Sequence, residues 1–279
     1  MIVLWGHIDD SGNSDDLFSL ACLISDGNNW FEIETEWEEH IERKRAQLAA
    51  VGRAVFSRYH AADCANLKGE FDKRFGWTRD EEHQFSAPLH DLFRKYHTVG
   101  YSLTVNLREL EKEIPEVLPN PEGFAHVILL QLLMMRICEG TLRIHPDAII
   151  SLIHDRSRYA AAMQEAFQQM LNDENFECRR KFCTLAPMGW EQCIALQPAD
   201  LFAYEAFKEV ERQFGKLPHK PRYSMLRSFG EGSKWAGNAA TLEKAALSEL
   251  RKSFYELDDA VRNILLATAR VSTKSKSKR

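Results

Sequence analysis

The sequence predicts an α/β fold in which a mixed sheet is flanked by helices and followed by a helical C-terminal extension. Short apolar runs rich in β-branched residues, typical of buried strands, alternate with longer segments whose apolar residues recur at three- and four-residue spacing, typical of helices. Two of the apolar runs end on an acid, Asp9 and Asp155. The chain has no internal repeat and no linker longer than a loop, so the first 215 residues are expected to form one core.

The N-terminal stretch begins with a strand and a turn. Residues 2–8 form an almost unbroken apolar run, which suits a central strand covered on both faces. The following DDSGN has turn chemistry, and its Ser-Gly pair is expected to shape the bend. Next in chain order come a strand at 17–24, a DGNN turn at 26–29, an amphipathic helix at 32–50 and a third strand at 54–62.

The same patterns predict the remaining elements of the core. In chain order they are a helix opened by Thr78 at 78–96, a strand at 98–106, a buried helix at 124–138, a strand at 148–155, a helix at 159–171, a strand at 176–185 and a helix at 198–214. The apolar segment at 124–138 is too short and too interrupted by polar residues to span a bilayer, so no membrane association is expected.

The C-terminal quarter predicts a helical extension at 216–269 that packs on the core, followed by a basic disordered tail at 270–279. One apolar stripe runs along the extension. Its members are Leu242, Ala246, Leu250, Leu257, Val261 and Ile264. The stripe either packs on its own domain or forms a surface for a homodimer or a protein partner.

Charge and cysteine usage narrow the class of protein. Thirty-six Lys and Arg against 41 Asp and Glu give a net charge of −5, which excludes the strongly basic body of a passive nucleic-acid coat. Six cysteines are spread thinly, without metal-ligand spacing and without a signal sequence. We therefore expect small core cysteines in a protein of the reducing cytoplasm.

Three aspartates are candidates for a shared site. Asp9 and Asp155 stand at the carboxyl ends of strands, where loops converge in open α/β sheets. Asp200 lies in the apolar segment IALQPADLFAY, directly after Pro198 and Ala199. With Pro198 at the first helical position, Asp200 has one interpretation as a capping acid for its own helix and another as a residue that faces a site beside Gln197.

These segments resemble a known family. The strand ending in IDDSGN, the segment RYHAADCANLKGEF, the strand IISLIHD and the helix IALQPADLFAY resemble, in order and character, the bacterial and phage family named domain of unknown function 3800. Its members look like RNase H-type proteins, and the resemblance covers roughly residues 2–210. It implies matching positions at Asp9, Asp10, Asp155, Gln197 and Asp200. The chain departs from the family in having Asp10 where Glu is usual and Pro198 inside the last motif.

Such a protein would be a metal-dependent nuclease. Phosphodiester hydrolysis is served by two divalent ions roughly 3.5–4 Å apart, and Mg²⁺ or Mn²⁺ at such a site needs three or four carboxylates. We expect Asp9 to bridge both ions and Asp155 and Asp200 to bind one each, with Asp10 as the fourth acid and Glu191 in reserve. The candidates for substrate contact are Ser11, which otherwise shapes the turn, His60, Arg156 and Gln197.

Two other functions stay open from the sequence. One is a non-catalytic RNase H-like module that binds nucleic acid or protein, because fold does not fix function. The other is an interaction module built on the C-terminal stripe. The sequence assigns neither RNA nor DNA as substrate.

Overall fold

The computed structural model describes residues 2–12, 16–118, 120–213 and 239–257, with the single positions 259, 262 and 266. Its strands are β1 (Ile2–Gly12), β2 (Leu17–Asp26), β3 (Val99–Asn106), β4 (Ala148–Asp155), β5 (Phe182–Met188) and β6 (Ala239–Leu242). In this part of the chain they form one sheet in the order β5-β4-β1-β2-β3-β6. Strands β1 and β3 each run antiparallel to β2, whereas β4 is parallel to β1, β5 to β4 and β6 to β3. The predicted mixed α/β sheet is confirmed.

Helices cover both faces of the sheet. They are α1 (Gly27–Ala50), α2 (Ala61–Asn66), α3 (Arg79–Lys95), α4 (Leu107–Glu113), α5 (Pro121–Ile137), α6 (Ala160–Asn172), α7 (Leu196–Gln213) and α8 (Lys244–Glu256). One layer contains α4, α5, α6 and α8, which pack with Leu20 and Cys22 of β2. The opposite layer contains α1, α2, α3 and α7, which pack with Ala21 and Leu23 of the same strand. This alternation is the two-residue period of a strand buried on both faces.

The first strand is longer than predicted. It continues through the expected turn to Gly12, so Asp9 pairs with Ala21 and Ser11 pairs with Ser19 of β2. Ser11 and Gly12 are therefore strand residues, and the predicted turn position is wrong for both. The connection to β2 lies at 13–15, outside the described residues. The pairing with β2 places both aspartates on sheet backbone rather than on a loop.

The predicted DGNN turn is the start of a helix. Asp26 caps α1, because its Oδ1 accepts the backbone N–H groups of Asn28 and Asn29 at 3.0 Å. The helix therefore begins five residues earlier than predicted. Its expected buried stripe, which includes Trp37, is confirmed.

The strand predicted at 54–62 does not form. Side chains satisfy this backbone where a neighbouring strand would have done so. The Ser57 N–H donates to Glu70 at 2.9 Å, the Tyr59 N–H donates to Gln197 at 3.0 Å, and the Ala61 N–H donates to Asp200 at 2.8 Å. The segment consequently crosses the N-terminal end of α7 as an irregular chain and then enters α2.

The helices and strands of the second half agree with the predicted order and differ mainly at their ends. The predicted strand at 176–185 begins only at Phe182, because a one-turn helix at Arg179–Lys181 precedes it. The final core helix begins at Leu196, two residues before Pro198. A proline in the first turn costs this helix no hydrogen bond, since the first N–H groups of a helix have no intrahelical partner.

The cysteines differ from the prediction of six buried thiols. Cys138 and Cys178 form a disulfide with their Cα atoms 6.2 Å apart, and Cys183 is exposed. The other three are buried thiols, as expected; they are Cys22, Cys64 and Cys193. Disulfides are atypical of reducing compartments, so the cytoplasmic location stays a prediction.

The apolar helix is longer than its apolar core. Pro121–Leu142 is a continuous 22-residue helical stretch that has the length and composition to cross a membrane, with a mean hydropathy of 1.4 over its best window. In this fold 61% of that window is buried inside the protein.

The C-terminal region is not wholly helical. Ala239–Leu242 forms the edge strand β6 beside β3, so the prediction of a helix at Leu242 is wrong. In α8, Leu247 and Phe254 are buried in the core, and Leu250 and Leu257 pack against it. The stripe therefore packs on its own domain at these positions, whereas Ala246 is exposed. Val261, Ile264 and the basic tail lie outside the described residues.

Candidate functional site

The alternation of side chains along a strand determines which face of the sheet each acid at the ends of β1 and β4 lies on. Ile8 pairs with His154, so Asp9 and Asp155 follow at successive positions of two neighbouring parallel strands. Both lie on the sheet face covered by α7, the face of Ile153. Helix α7 packs across β1 and β2 and carries Asp200 in its second turn. The structure therefore brings together the three aspartates that the sequence predicted from distant segments.

The three side chains share one cavity of about 210 Å³. Its wall consists of Asp9, Asp10, Arg58, Tyr59, His60, Asp155, Trp190, Leu196, Gln197 and Asp200. Asp9, Asp155 and Asp200 are partly buried, so the cavity is open to solvent without being flat surface.

Each of the three carboxylates is oriented by one backbone N–H. Asp9 Oδ1 accepts from Asp10 N at 2.8 Å, Asp155 Oδ1 accepts from Arg156 N at 2.9 Å, and Asp200 Oδ2 accepts from Ala61 N at 2.8 Å. Asp200 therefore does not cap its own helix, and the site interpretation of this residue is the one that agrees with its contacts. One oxygen of each carboxylate is engaged in this way, which leaves the other available as a ligand.

The electrostatics of the cavity disfavour three free negative charges. Burial raises the pKa of Asp9 well above its usual range, and the carboxylates of Asp200 and Asp10 raise it further. Burial also raises the pKa of Asp155 and of Asp200, while the nearby Arg58 guanidinium opposes both increases. A positive charge in the cavity would relieve this repulsion.

A basic and aromatic wall faces the carboxylates. The Arg58 guanidinium lies 5.5 Å from the ring centroid of Trp190, and both residues line the cavity. His60 precedes α2, with Nδ1 3.2 Å from Asp63 Oδ2, and its charge lowers the pKa of Asp200. The sequence analysis identified His60 but missed Arg58 and Trp190, although Arg58 is two residues before His60 in the motif RYH.

Gln197 has a structural role inside the site. Its Oε1 accepts the Tyr59 N–H at 3.0 Å and lies 3.5 Å from Trp37 Nε1. The side chain is buried and ties the irregular segment before α2 to the start of α7. Gln197 thereby fixes the backbone that carries Arg58 and His60, and its predicted contact with substrate stays a prediction.

Asp10 faces away from Asp9. It lies on the α5 side of the sheet, where its Oδ1 is 3.7 Å from Nε2 of His126, and its side chain is 43% exposed. Asp10 nevertheless borders the carboxylate cavity and acts electrostatically on Asp9, Asp155 and Asp200. Asp10, the predicted fourth acid, therefore lies next to the site but on the opposite face of the sheet.

The other candidates lie at the margin. The Arg156 side chain is exposed and donates to Gln192 Oε1 at 2.7 Å, and it is not among the residues that line the cavity. Ser11 is also absent from that wall. Glu191 is exposed and borders a neighbouring cavity. Its charge raises the pKa of Asp155, but less than burial and the Asp10 carboxylate do.

A larger cavity adjoins the carboxylate cavity. It has a volume of about 730 Å³ and shares Tyr59 with the smaller one. Its walls come from α2, α3 and α7 and include the buried acids Glu82 and Glu205.

The donor chemistry of the small cavity fits a hard divalent cation. Carboxylate oxygens are the ligands that Mg²⁺ and Mn²⁺ prefer, and three desolvated aspartates gain from such an ion. Within the described ranges, however, no group of three or more His, Cys, Asp or Glu side chains is arranged to hold a metal ion as it stands. Ion binding at this site would require the side chains to draw together.

Comparisons of the chain with protein-family models, with curated proteins and with solved structures found no match. The resemblance to the family named domain of unknown function 3800 therefore stays a prediction.

Proposed function

We propose that this protein is a divalent-metal-dependent nuclease that hydrolyses phosphodiester bonds in nucleic acid. One observation carries the proposal: Asp9, Asp155 and Asp200 come from two strands and a helix and line a single cavity. Burial raises the pKa of all three carboxyl groups, and neighbouring carboxylates raise it further. Charge repulsion of this kind is typical of functional sites.

The sheet supports an RNase H-like assignment. The order β5-β4-β1-β2-β3, with an antiparallel β1-β2-β3 meander and with β4 and β5 added in parallel, is the arrangement expected of an RNase H-like core. In such a sheet the acids of the first and fourth strands lie side by side. Asp9 and Asp155 have this relation here.

The chain's own residues would divide the work of the reaction. Mg²⁺ or Mn²⁺ held by Asp9, Asp155 and Asp200 would supply a water of lowered pKa and positive charge for the leaving oxygen. Arg58 faces the same cavity and would contact a non-bridging oxygen of the scissile phosphate. Trp190 keeps the guanidinium beside the cavity through a cation–π contact. His60 is placed to donate a proton to the departing oxygen.

Cleavage assays test the proposal directly. Purified protein is incubated with single-stranded RNA, single-stranded DNA and an RNA–DNA hybrid, with Mg²⁺, with Mn²⁺ or with EDTA. We expect cleavage of at least one substrate with either ion and none with EDTA. Asp155→Asn should abolish cleavage and leave the circular dichroism spectrum unchanged, whereas Asp147→Asn, in an exposed turn, is the matched control. Equal activity of Asp155→Asn and wild type would refute the proposal.

The second candidate is an RNase H-like module that binds nucleic acid without cutting it. The absence of a ready three-ligand arrangement in the described part of the chain favours this alternative. The same assays separate the two functions: a module of this kind would retain nucleic acid in a filter-binding assay with EDTA and would cleave no substrate with either ion. Binding that depends on Arg58 without cleavage would identify it.

A further inference from the structure

Two buried histidines lie on the opposite side of the strand ends from the three aspartates. His126 in α5 and His154 in β4 are each 2% exposed. Together with Asp9, Asp10 and Asp155, they line a cavity of about 10 Å³, the space of one water molecule or one ion. The mechanism proposed above uses neither histidine.

Hydrogen bonds fix the protonation site of both rings. Nδ1 of His126 lies 2.9 Å from the carbonyl oxygen of Glu122, and Nδ1 of His154 lies 2.9 Å from the carbonyl oxygen of Asp155. Because a carbonyl oxygen only accepts, each Nδ1 must carry the hydrogen. In the neutral rings each Nε2 therefore presents a lone pair.

Neither lone pair has a partner within the described residues. Nε2 of His126 and Nε2 of His154 are both buried without a hydrogen-bond partner there. Burying a polar atom in this way costs about 1–3 kcal/mol, so each of these atoms calls for an explanation. Both residues line the same small cavity.

The third group at the cavity is negative. Asp10 Oδ1 lies 3.7 Å from Nε2 of His126, so a lone pair faces a carboxylate. Without a proton or a cation between them, these two groups repel each other. The 43% exposure of the Asp10 side chain leaves it freedom to rotate toward an ion.

Two aromatic rings hold the His126 ring in place. Its centroid lies 4.4 Å from that of Phe18 and 4.2 Å from that of Tyr159. A histidine whose Nδ1 donates to a carbonyl and whose ring is fixed by packing is typical of a metal ligand that binds through Nε2.

From this geometry we infer that His126, His154 and Asp10 form a second cation site once the Asp10 side chain rotates toward the two rings, because the three side chains do not hold an ion as they stand. The site would take a borderline transition-metal ion of the Zn²⁺ class. Two imidazoles and one carboxylate favour such an ion over Mg²⁺, and three protein ligands leave a position open for water. The site differs from the Asp9–Asp155–Asp200 cavity in its two buried imidazoles. The two cavities share Asp9, Asp10 and Asp155 at the strand ends.

Metal titration of the full-length protein tests the inference. Zn²⁺ and Co²⁺ are titrated separately in the presence of millimolar Mg²⁺, with calorimetry for Zn²⁺ and visible absorption for Co²⁺. We expect one tightly bound ion per chain and, for Co²⁺, absorption bands of a nitrogen-ligated ion. His126→Ala and His154→Ala should each weaken Zn²⁺ binding at least about 100-fold. His83→Ala, whose side chain is 68% exposed, is the control and should bind as wild type does.

The Asp200→Asn variant separates this inference from the proposed nuclease. It should lose cleavage and keep its Zn²⁺ affinity, because Asp200 is not in the small cavity. If the alanine variants fail to fold, ¹⁵N NMR of the wild-type histidines gives the answer without mutation. The inference predicts that Zn²⁺ shifts the Nε2 resonances of both rings. Protonated His126 Nε2 paired with Asp10 and unchanged by Zn²⁺, or Zn²⁺ binding that is equal in wild type and His126→Ala, would overturn it.

Discussion

Asp9 and Asp10 are adjacent in the chain and lie in opposite surroundings. Asp9 faces α7 and shares a cavity with Asp155 and Asp200. Asp10 faces α5 and meets His126 at 3.7 Å. Because side chains alternate across a strand, one DD dipeptide supplies an acid to each face of the sheet. The difference teaches that adjacent acids on one strand lie in two different environments.

The largest expected effect comes from replacing Asp9 and Asp10 by asparagine in two separate variants. Asp9→Asn should lower kcat for Mg²⁺-dependent cleavage by on the order of 1000-fold or more, because a carboxylate that would hold the metal ion is lost. Asp10→Asn should lower kcat by only about 10-fold, since it removes a neighbouring charge and no ligand of that cavity. Steady-state kinetics on the substrate identified in the cleavage assays measures both. Equal losses would show that the two faces act as one site.

A smaller effect is expected at the basic wall. Arg58→Ala should raise KM about 10-fold, because a charge-assisted contact with the phosphate is lost. Arg156→Ala is the matched control: this side chain binds Gln192 outside the cavity wall, so its removal should change KM less than about twofold. A larger effect at Arg156 than at Arg58 would restore the choice made from sequence and contradict the site described here.

The smallest expected effect is on stability. The pKa values of Asp9, Asp155 and Asp200 are raised in the folded protein, so the folded chain holds these protons more tightly than the unfolded chain does. In EDTA, the stability that these three groups contribute should therefore fall as the pH rises through the raised values, whereas the lowered pKa values of the buried His7 and His154 make stability rise with pH. Asp9→Asn should weaken that fall and add about 1 kcal/mol at pH 8, or roughly 2–4 °C in Tm. Thermal melts at pH 5 and pH 8 measure it. An equal change in Tm between pH 5 and pH 8 for wild type and Asp9→Asn in EDTA would contradict the raised pKa of Asp9.

Much of the fold was predictable because it depends on local patterns. Alternating and continuous apolar runs identified the strands that become β1, β2, β3 and β4, and the spacing of apolar residues identified α1, α3, α5 and α7. The failures came where side chains replaced backbone pairing. Residues 54–62 look like a strand, but Gln197 and Asp200, more than 130 positions away, hold their backbone in an irregular path.

The acidic residues of the site could be predicted from the sequence, whereas the basic and aromatic residues of its wall could not. Asp9 and Asp155 could be placed because strand ends converge in an α/β sheet. Arg58 and Trp190 could not, since their positions follow from the irregular segment before α2 and from the loop after β5, which carry no periodic signal. The division of Asp9 from Asp10 was within reach of sequence reasoning, because it follows once β1 is extended through both residues.

Manganese binding tests the central claim most directly. Crystals of the wild-type protein are soaked in Mn²⁺, and anomalous diffraction locates the ion. The account predicts a peak bound by carboxylate oxygens of Asp9 and Asp155, with Asp200 as a ligand of the same ion or of a second one beside it. Crystals that take up Mn²⁺ elsewhere, with no peak between these three side chains, would contradict it.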